Sequence, residues 1–301
     1  MSAGTSIGTD KPQAVIHDVR YSRFEGQLRP RRSAVLALAR SSALRALGIR
    51  RSAGAKIWPF LLVAAAFAPA VVSVGVPLLL NEVGVKGPLD VLKYSDSVDM
   101  LTPILIAYAA STVPSLLTRE RRDGVLSLYF STAVSPGEYV VGKVLAAVAV
   151  LSLVTFFPLL LMLVGGIVVA DSPVSYARHH GSDWGKVLLV GLVVSLFHAA
   201  IGLGLGSLTA RRVFAVGGYV ALMLVPTVLF GVLFAITSSR GFLALVLAGV
   251  PPRLAEVVFG DQTGVDTTQV PPTGACWVVW ALVVVAGFGT MVLRYRKGAA
   301  T

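Results

Sequence analysis

The sequence predicts an all-α protein that crosses a membrane six times, and three observations carry that reading. Of its 301 residues 55% are hydrophobic and 14% charged, with a mean hydropathy of +0.78. A soluble domain of this length does not present such a surface to water. Six apolar runs reach the roughly 20 residues that a helix needs to cross about 30 Å of hydrocarbon. Every Asp, Glu, Lys and Arg falls in a terminus, a connection or the edge of a run.

In chain order, residues 1–30 mix Ser, Gly, Pro, Gln and charge without a period and read as a mobile basic cytoplasmic arm. Residues 31–56 open with RRSAVLALARSSALRALG, a helical pattern. Leu36, Ala43, Leu44 and Leu47 share an arc opposite Arg31, Ser42 and Arg45, while Arg40 falls inside the arc and has to snorkel. This predicts an amphipathic interfacial helix leading into the first span; a cytosolic helix packed on a partner is the alternative. The six-span domain occupies 57–293, with spans near 57–80, 98–117, 137–169, 186–208, 213–237 and 273–293. Pro69, Pro103, Pro114, Pro158 and Pro226 lie within spans and predict kinks. The connection 238–272 holds FLALVLAGV, Pro251-Pro252 and LAEVVFG, apolar but too short to cross. It reads as an exterior re-entrant or lid segment, or as a surface helix of an exported loop. Residues 294–301 form the tail.

The net charge is +11, and its distribution sets orientation. Twenty of the 26 Lys and Arg lie in 1–56, 118–143, 209–212 and 294–301, and the other six lie near 81–99, 170–186 and 238–272 beside nine acids. That asymmetry places both termini in the cytoplasm. The richness in Ala, Val and Leu, with Arg exceeding Lys, is that of a bacterial chain with GC-rich coding, so the expected location is the plasma (inner) membrane. The basic arm suits anionic lipid, and no nucleic-acid module accompanies it.

Several chemistries are disfavoured. Ion-coupled carriers usually keep an ionisable group inside the membrane, and only His198 qualifies here; a lone His in a span reads as hydrogen-bonded between helices. Cys276 is the only cysteine, which excludes an intrachain disulfide and argues against thiolate metal ligation; no metal site is expected. The first apolar run follows polar and basic residues without a cleavage pattern, so the first span itself is expected to direct insertion. For an intramembrane enzyme, His198 and Ser207 are nine residues apart on one helix and on different turns, and His179-His180 are neighbours that point apart. A membrane scaffold without transport shares the composition and stays open. Gly202 and Gly206 form a small-xxx-small pair that lets another helix approach closely.

Residues 119–143, RERRDGVLSLYFSTAVSPGEYVVGK, interrupt the apolar chain between spans two and three. Arg119 to Asp123 end the second span where guanidiniums suit headgroups and the helix dipole, and Gly124 permits a sharp redirection. VLSLYFSTAV is apolar but cannot span. Ser135-Pro136-Gly137-Glu138 matches a capping box with proline at the first helical position, so the third span starts there. A short helix in 119–135 is thereby presented between a charged end and a cap. Its alternatives are a hairpin loop packed on its own bundle or a surface covered by a partner protein.

The run TRERRDGVLSLYFSTAVSPGEYVVGKVLA resembles the cytoplasmic connection of ABC-2 type permease subunits of ABC transporters. The six spans, the basic helix before the first and the apolar exterior loop before the last fit the same family. The resemblance implies the transmembrane half of an exporter, in which the helix between spans two and three docks into a separate ATPase subunit. By position Glu120, Arg121, Gly124, Leu126, Leu128, Tyr129 and Ser131 would form that coupling element, and Ser135, Glu138, Gly142 and Lys143 the start of the third span. The chain departs from the common pattern at Thr132-Ala133. It has no G-x-x-x-x-G-K-[ST] loop; Gly181, Gly185 and Lys186 imitate one with the wrong spacing. No cofactor is therefore expected on this chain, and ATP with Mg would sit on the partner ATPase. A second permease half, identical or related, would complete the transporter. Without buried charge the expected substrate is hydrophobic or amphipathic, drug-like or lipid-like, along a path lined by Ser73, Tyr108, Ser111 and Thr112.

Overall fold

The computed structural model describes residues 31–49, 53–83, 92–125, 134–170, 172–261 and 269–298, and these form helices and turns without strands. The 1–30 arm and residues 126–133 of the 119–135 connection, which include the candidate coupling positions Leu126, Leu128, Tyr129 and Ser131, lie outside the described residues. The helices are α1 (Arg31–Ala46), α2 (Ala53–Ala66), α3 (Ala68–Glu82), α4 (Tyr94–Thr112), α5 (Ser115–Arg122), α6 (Pro136–Thr155), α7 (Phe157–Val169), α8 (Pro173–His179), α9 (Asp183–Leu208), α10 (Arg212–Thr237), α11 (Val250–Phe259) and α12 (Thr273–Gly298). Five are long and apolar enough to cross a membrane, counting α4 with α5 as one, and α2 with α3 makes a sixth if that bent pair is one span.

Proline explains where spans break. The α2–α3 pair bends by 43° just before Pro69; α4 gives way to α5 at Val113-Pro114 and α6 to α7 at Phe156, before Pro158. In each case the ring sits at or next to the start of the following helix, where its missing N–H is tolerated and its fixed φ suits the first turn. Pro103 and Pro226 lie inside the continuous helices α4 and α10 and do not end them.

α9 is the axis of the bundle, with α4, α5, α6, α7, α10, α11 and α12 packed around it. Glycines set the spacing. A Cβ on Gly202 would fall 2.8 Å from Val113 Cβ, and one on Gly206 would fall 3.2 Å from the Pro114 carbonyl oxygen, so α9 rides against the α4–α5 break. On its other side a Cβ on Gly204 would fall 3.0 Å from the Cα of Gly287 in α12. Only side chains without a Cβ permit these approaches.

At one end of the bundle, α11 buries Val250, Pro251, Pro252, Leu254 and Ala255 against neighbouring helices. Tyr94 stacks on Phe259 with centroids 4.9 Å apart, and Ser95 Oγ donates to Asp261 at 2.8 Å. The short 238–261 stretch thus packs onto α4, α9 and α12 rather than standing off as a free loop.

At the other end, α1 corrects the predicted arc. Leu36 is 62% exposed, whereas Leu38, Ala39 and Ser42 are buried against α6 and α5. The leucine arc read from the sequence assumed a featureless partner, but the facing surface of α6 offers a polar atom, Lys143 Nζ, which draws the serine inward. α1 ends at Ala46, and Gly48 at φ +74 turns the chain, so it is shorter than the predicted 31–56 unit. α2 starts at Ala53, and the part of it suited to a membrane runs from Lys56, next to the predicted 57.

Candidate functional site: a buried ion pair where α1, α5 and α6 meet

Local chemistry fixes the two chain ends that border the connection between α5 and α6. α5 ends at Arg122, and Gly124 adopts φ +67, a conformation with no steric cost only for glycine. On the far side Ser135 caps α6: its Oγ accepts from the Glu138 N–H at 3.3 Å, and the Glu138 carboxylate accepts from the Ser135 N–H at 2.8 Å.

Between these ends lies a buried charge cluster. Lys143 is 1% exposed and Glu120 5%. Lys143 Nζ donates to Glu120 Oε1 at 2.7 Å, to Ser42 Oγ at 2.9 Å and to the Leu116 carbonyl at 3.0 Å. An ammonium has three N–H donors, and all three are used. The second carboxylate oxygen of Glu120 accepts from Tyr139 Oη at 2.8 Å, and Arg45 Nη2 lies 3.7 Å from the first. Removing either charge from water costs several kcal/mol, which only such complete pairing offsets. The pair therefore locks α1, α5 and α6 into one arrangement. Gly142 lets α1 come close enough, because a Cβ there would stand 3.0 Å from Leu38 Cδ2. Tyr139 extends the contact to α12 by packing on Tyr295, centroids 5.0 Å apart.

Arginines tie further helices to the same end. Arg121 donates to the Ser207 carbonyl, one of the last four carbonyls of α9, which lack an intrahelical partner. Arg212, opening α10, donates to the Ser111 carbonyl at 3.0 Å, beside the α4–α5 break.

The remaining candidate positions fall elsewhere. Tyr108 and Thr112 are buried; Tyr108 Oη donates to the Val150 carbonyl at 3.1 Å and Thr112 Oγ1 to the Tyr108 carbonyl at 2.7 Å, so both hydroxyls serve the interior of one subunit. Ser111 and Ser73 are half-buried, and Ser111 Oγ donates to the Tyr108 carbonyl at 2.9 Å. His198 is hydrogen-bonded between helices, its Nδ1 lying 2.5 Å from Tyr219 Oη of α10. It is far along α9 from Ser207, whose Oγ donates to the Gly204 carbonyl at 2.6 Å. No cluster of three or more metal-ligating side chains occurs among the described residues.

Sequence reasoning missed Ser42, Arg45 and Tyr139 as members of this cluster, and missed that Glu120 and Lys143 face each other. The available signal was Lys143 itself, set inside the apolar run YVVGKVLAAVAV, where an unpaired ammonium is costly.

A helical bundle with five or six apolar spans and a charge-locked end is a multi-pass membrane protein built to hold several helices together at one face. The chain matches the family described as ABC-2 family transporter protein over residues 91–292, two thirds of its length, and it belongs to that family. It is thus the membrane component, the permease, of an ABC transporter, a class that works with an ABC ATPase subunit and is generally not catalytic itself. Among curated proteins, none matches the chain.

Proposed function

We propose that this permease is half of an ATP-driven exporter in the plasma membrane, with both termini cytoplasmic and segment 119–135 as the docking element for a separate ATPase. The observation that carries the reading is the Glu120–Lys143 pair, which joins the helix leading into that segment to the helix leaving it and to α1. A push on the segment then moves three helices as one body, and two ATP-controlled arrangements of the ATPase bias two arrangements of the bundle. ATP and Mg belong to the ATPase. A second permease half, identical or related, faces this one, and an amphipathic, drug-like or lipid-like substrate passes between them, with Ser73 and Ser111 as candidate lining groups.

Affinity purification of the tagged chain in mild detergent tests this. A stoichiometric protein with a phosphate-cradling loop, active in ATP hydrolysis and lost on Tyr129→Asp, is the expected result. Purification without any ATPase under several gentle conditions would leave a non-transporting scaffold as the better reading.

A further inference from the structure

We propose that the groove between α5 and the α9–α10 turn is a binding site for the phosphate headgroup of an anionic phospholipid, sharing its α5 wall with the proposed ATPase-docking segment 119–135. The groove has a volume of about 1130 Å³ and is bordered by Arg119, Arg121, Arg122, Arg211 and Arg212. Two of these spend part of their donors inside the protein: Arg121 on Ser207 and Arg212 on Ser111. Arg119 and Arg122 share a single carboxylate, Asp123, at 3.6 and 3.3 Å, and remain solvent-facing. One carboxylate among five guanidiniums leaves a strong local excess of positive charge. Like charges gathered in one groove repel each other, and a phosphate relieves that repulsion through short, charge-assisted, often bidentate bonds.

The walls point to a lipid. The groove continues onto the first turn of α10, where Val213 is 80% and Phe214 63% exposed. Cation and apolar surface are therefore adjacent at the end of a membrane-spanning helix, the depth at which a phospholipid changes from headgroup to acyl chain. Arg211 lies over the Phe214 ring at 5.9 Å, which holds its guanidinium at the apolar border.

Native mass spectrometry of the full-length protein, titrated with phosphatidylglycerol or phosphatidylcholine in detergent, tests the site. Preferential retention of phosphatidylglycerol is expected, weakening about fivefold for each guanidinium neutralised in Arg119→Gln/Arg122→Gln and, separately, in Arg211→Gln/Arg212→Gln. The first pair of positions is surface-exposed and carries the test if the second pair disturbs folding. Arg32→Gln/Arg40→Gln on α1 is the control and should retain the preference. Glycerol phosphate, which has the headgroup without chains, should not compete at equal concentration. Unchanged lipid preference in the groove variants overturns the proposal. Equal competition by glycerol phosphate assigns the groove to a soluble phosphate compound instead. Unchanged lipid preference with loss of the co-purified ATPase assigns it to an acidic protein surface.

Discussion

α9 and α10 are consecutive helices of 26 residues, both strongly apolar, yet they have opposite surroundings. In the most apolar window of α9, 78% of residues are buried within the subunit, against 6% in α10. α10 buries Ala215, Tyr219 and Met223, while Val225, Val228, Leu229 and Val232 face outward. Apolarity therefore marks both helices as suited to a membrane and says nothing of which is central. Small residues decide that: Gly202, Gly204 and Gly206 give α9 neighbours on two sides, whereas Gly217 and Gly231 of α10 have nothing within 4 Å of an added Cβ. The outward face of α10 is available to lipid or, in a transporter built of two halves, to a second permease subunit.

The largest expected effect lies at the charged end of the central group. Lys143→Met, which strands a buried carboxylate, should cost about 3–5 kcal/mol of stability, read as an early loss of the monodisperse peak on heating in detergent. Glu120→Gln/Lys143→Met should recover most of that loss, because neither charge is then left unpaired. If the double variant is as unstable as the single, the cluster stabilises through shape and not through charge.

Next is the glycine contrast. Gly204→Leu should lose about 1–3 kcal/mol or more, since α12 cannot retreat without disturbing its packing. Gly231→Leu should be neutral or slightly stabilising, by up to about 1 kcal/mol from helix propensity. Equal damage at both positions would remove the distinction between a central and a peripheral helix. Smaller again is the polar link between the two: Tyr219→Phe should cost about 0.6 kcal/mol, a usual value for hydrogen bonds between membrane helices.

The smallest effect is expected at the outward face, where Val228→Ala should change stability by less than about 0.5 kcal/mol in detergent. Since Cys276 is the only cysteine and is buried, Val228→Cys gives a single reactive thiol. It should react with a lipid-soluble maleimide in detergent-solubilised monomers; protection in native membranes would show that a second subunit covers α10.

Much of this architecture is written locally. Apolar runs longer than about 20 residues, proline at helix starts, the Ser135–Glu138 cap and Gly124 each involve neighbours in sequence, and periodicity or turn chemistry exposes them. The charge cluster is not local. Glu120 and Lys143 lie 23 residues apart on either side of the α5–α6 connection, and charge near the end of a span, as at Glu120, ordinarily reads as a headgroup contact. Ser42 is drawn to Lys143 from a helix whose leucines suggested the opposite face. Gly287, which faces Gly204, has Val283 and Met291 four residues to either side and so no small-xxx-small spacing in its own helix, and only the three-dimensional pairing shows its role.

The central claim is that the Glu120–Lys143 pair carries motion from an ATPase into the bundle. In the purified complex, the labelling rate of one introduced cysteine at the end of α9, Leu208→Cys, beside the buried Cys276, measured with and without ATP, tests it most directly. The account predicts an ATP-dependent change in the otherwise wild-type chain that disappears in Glu120→Gln/Lys143→Met while that variant stays folded and keeps its ATPase. An undiminished ATP response in the double variant would contradict it and make the pair a packing feature alone.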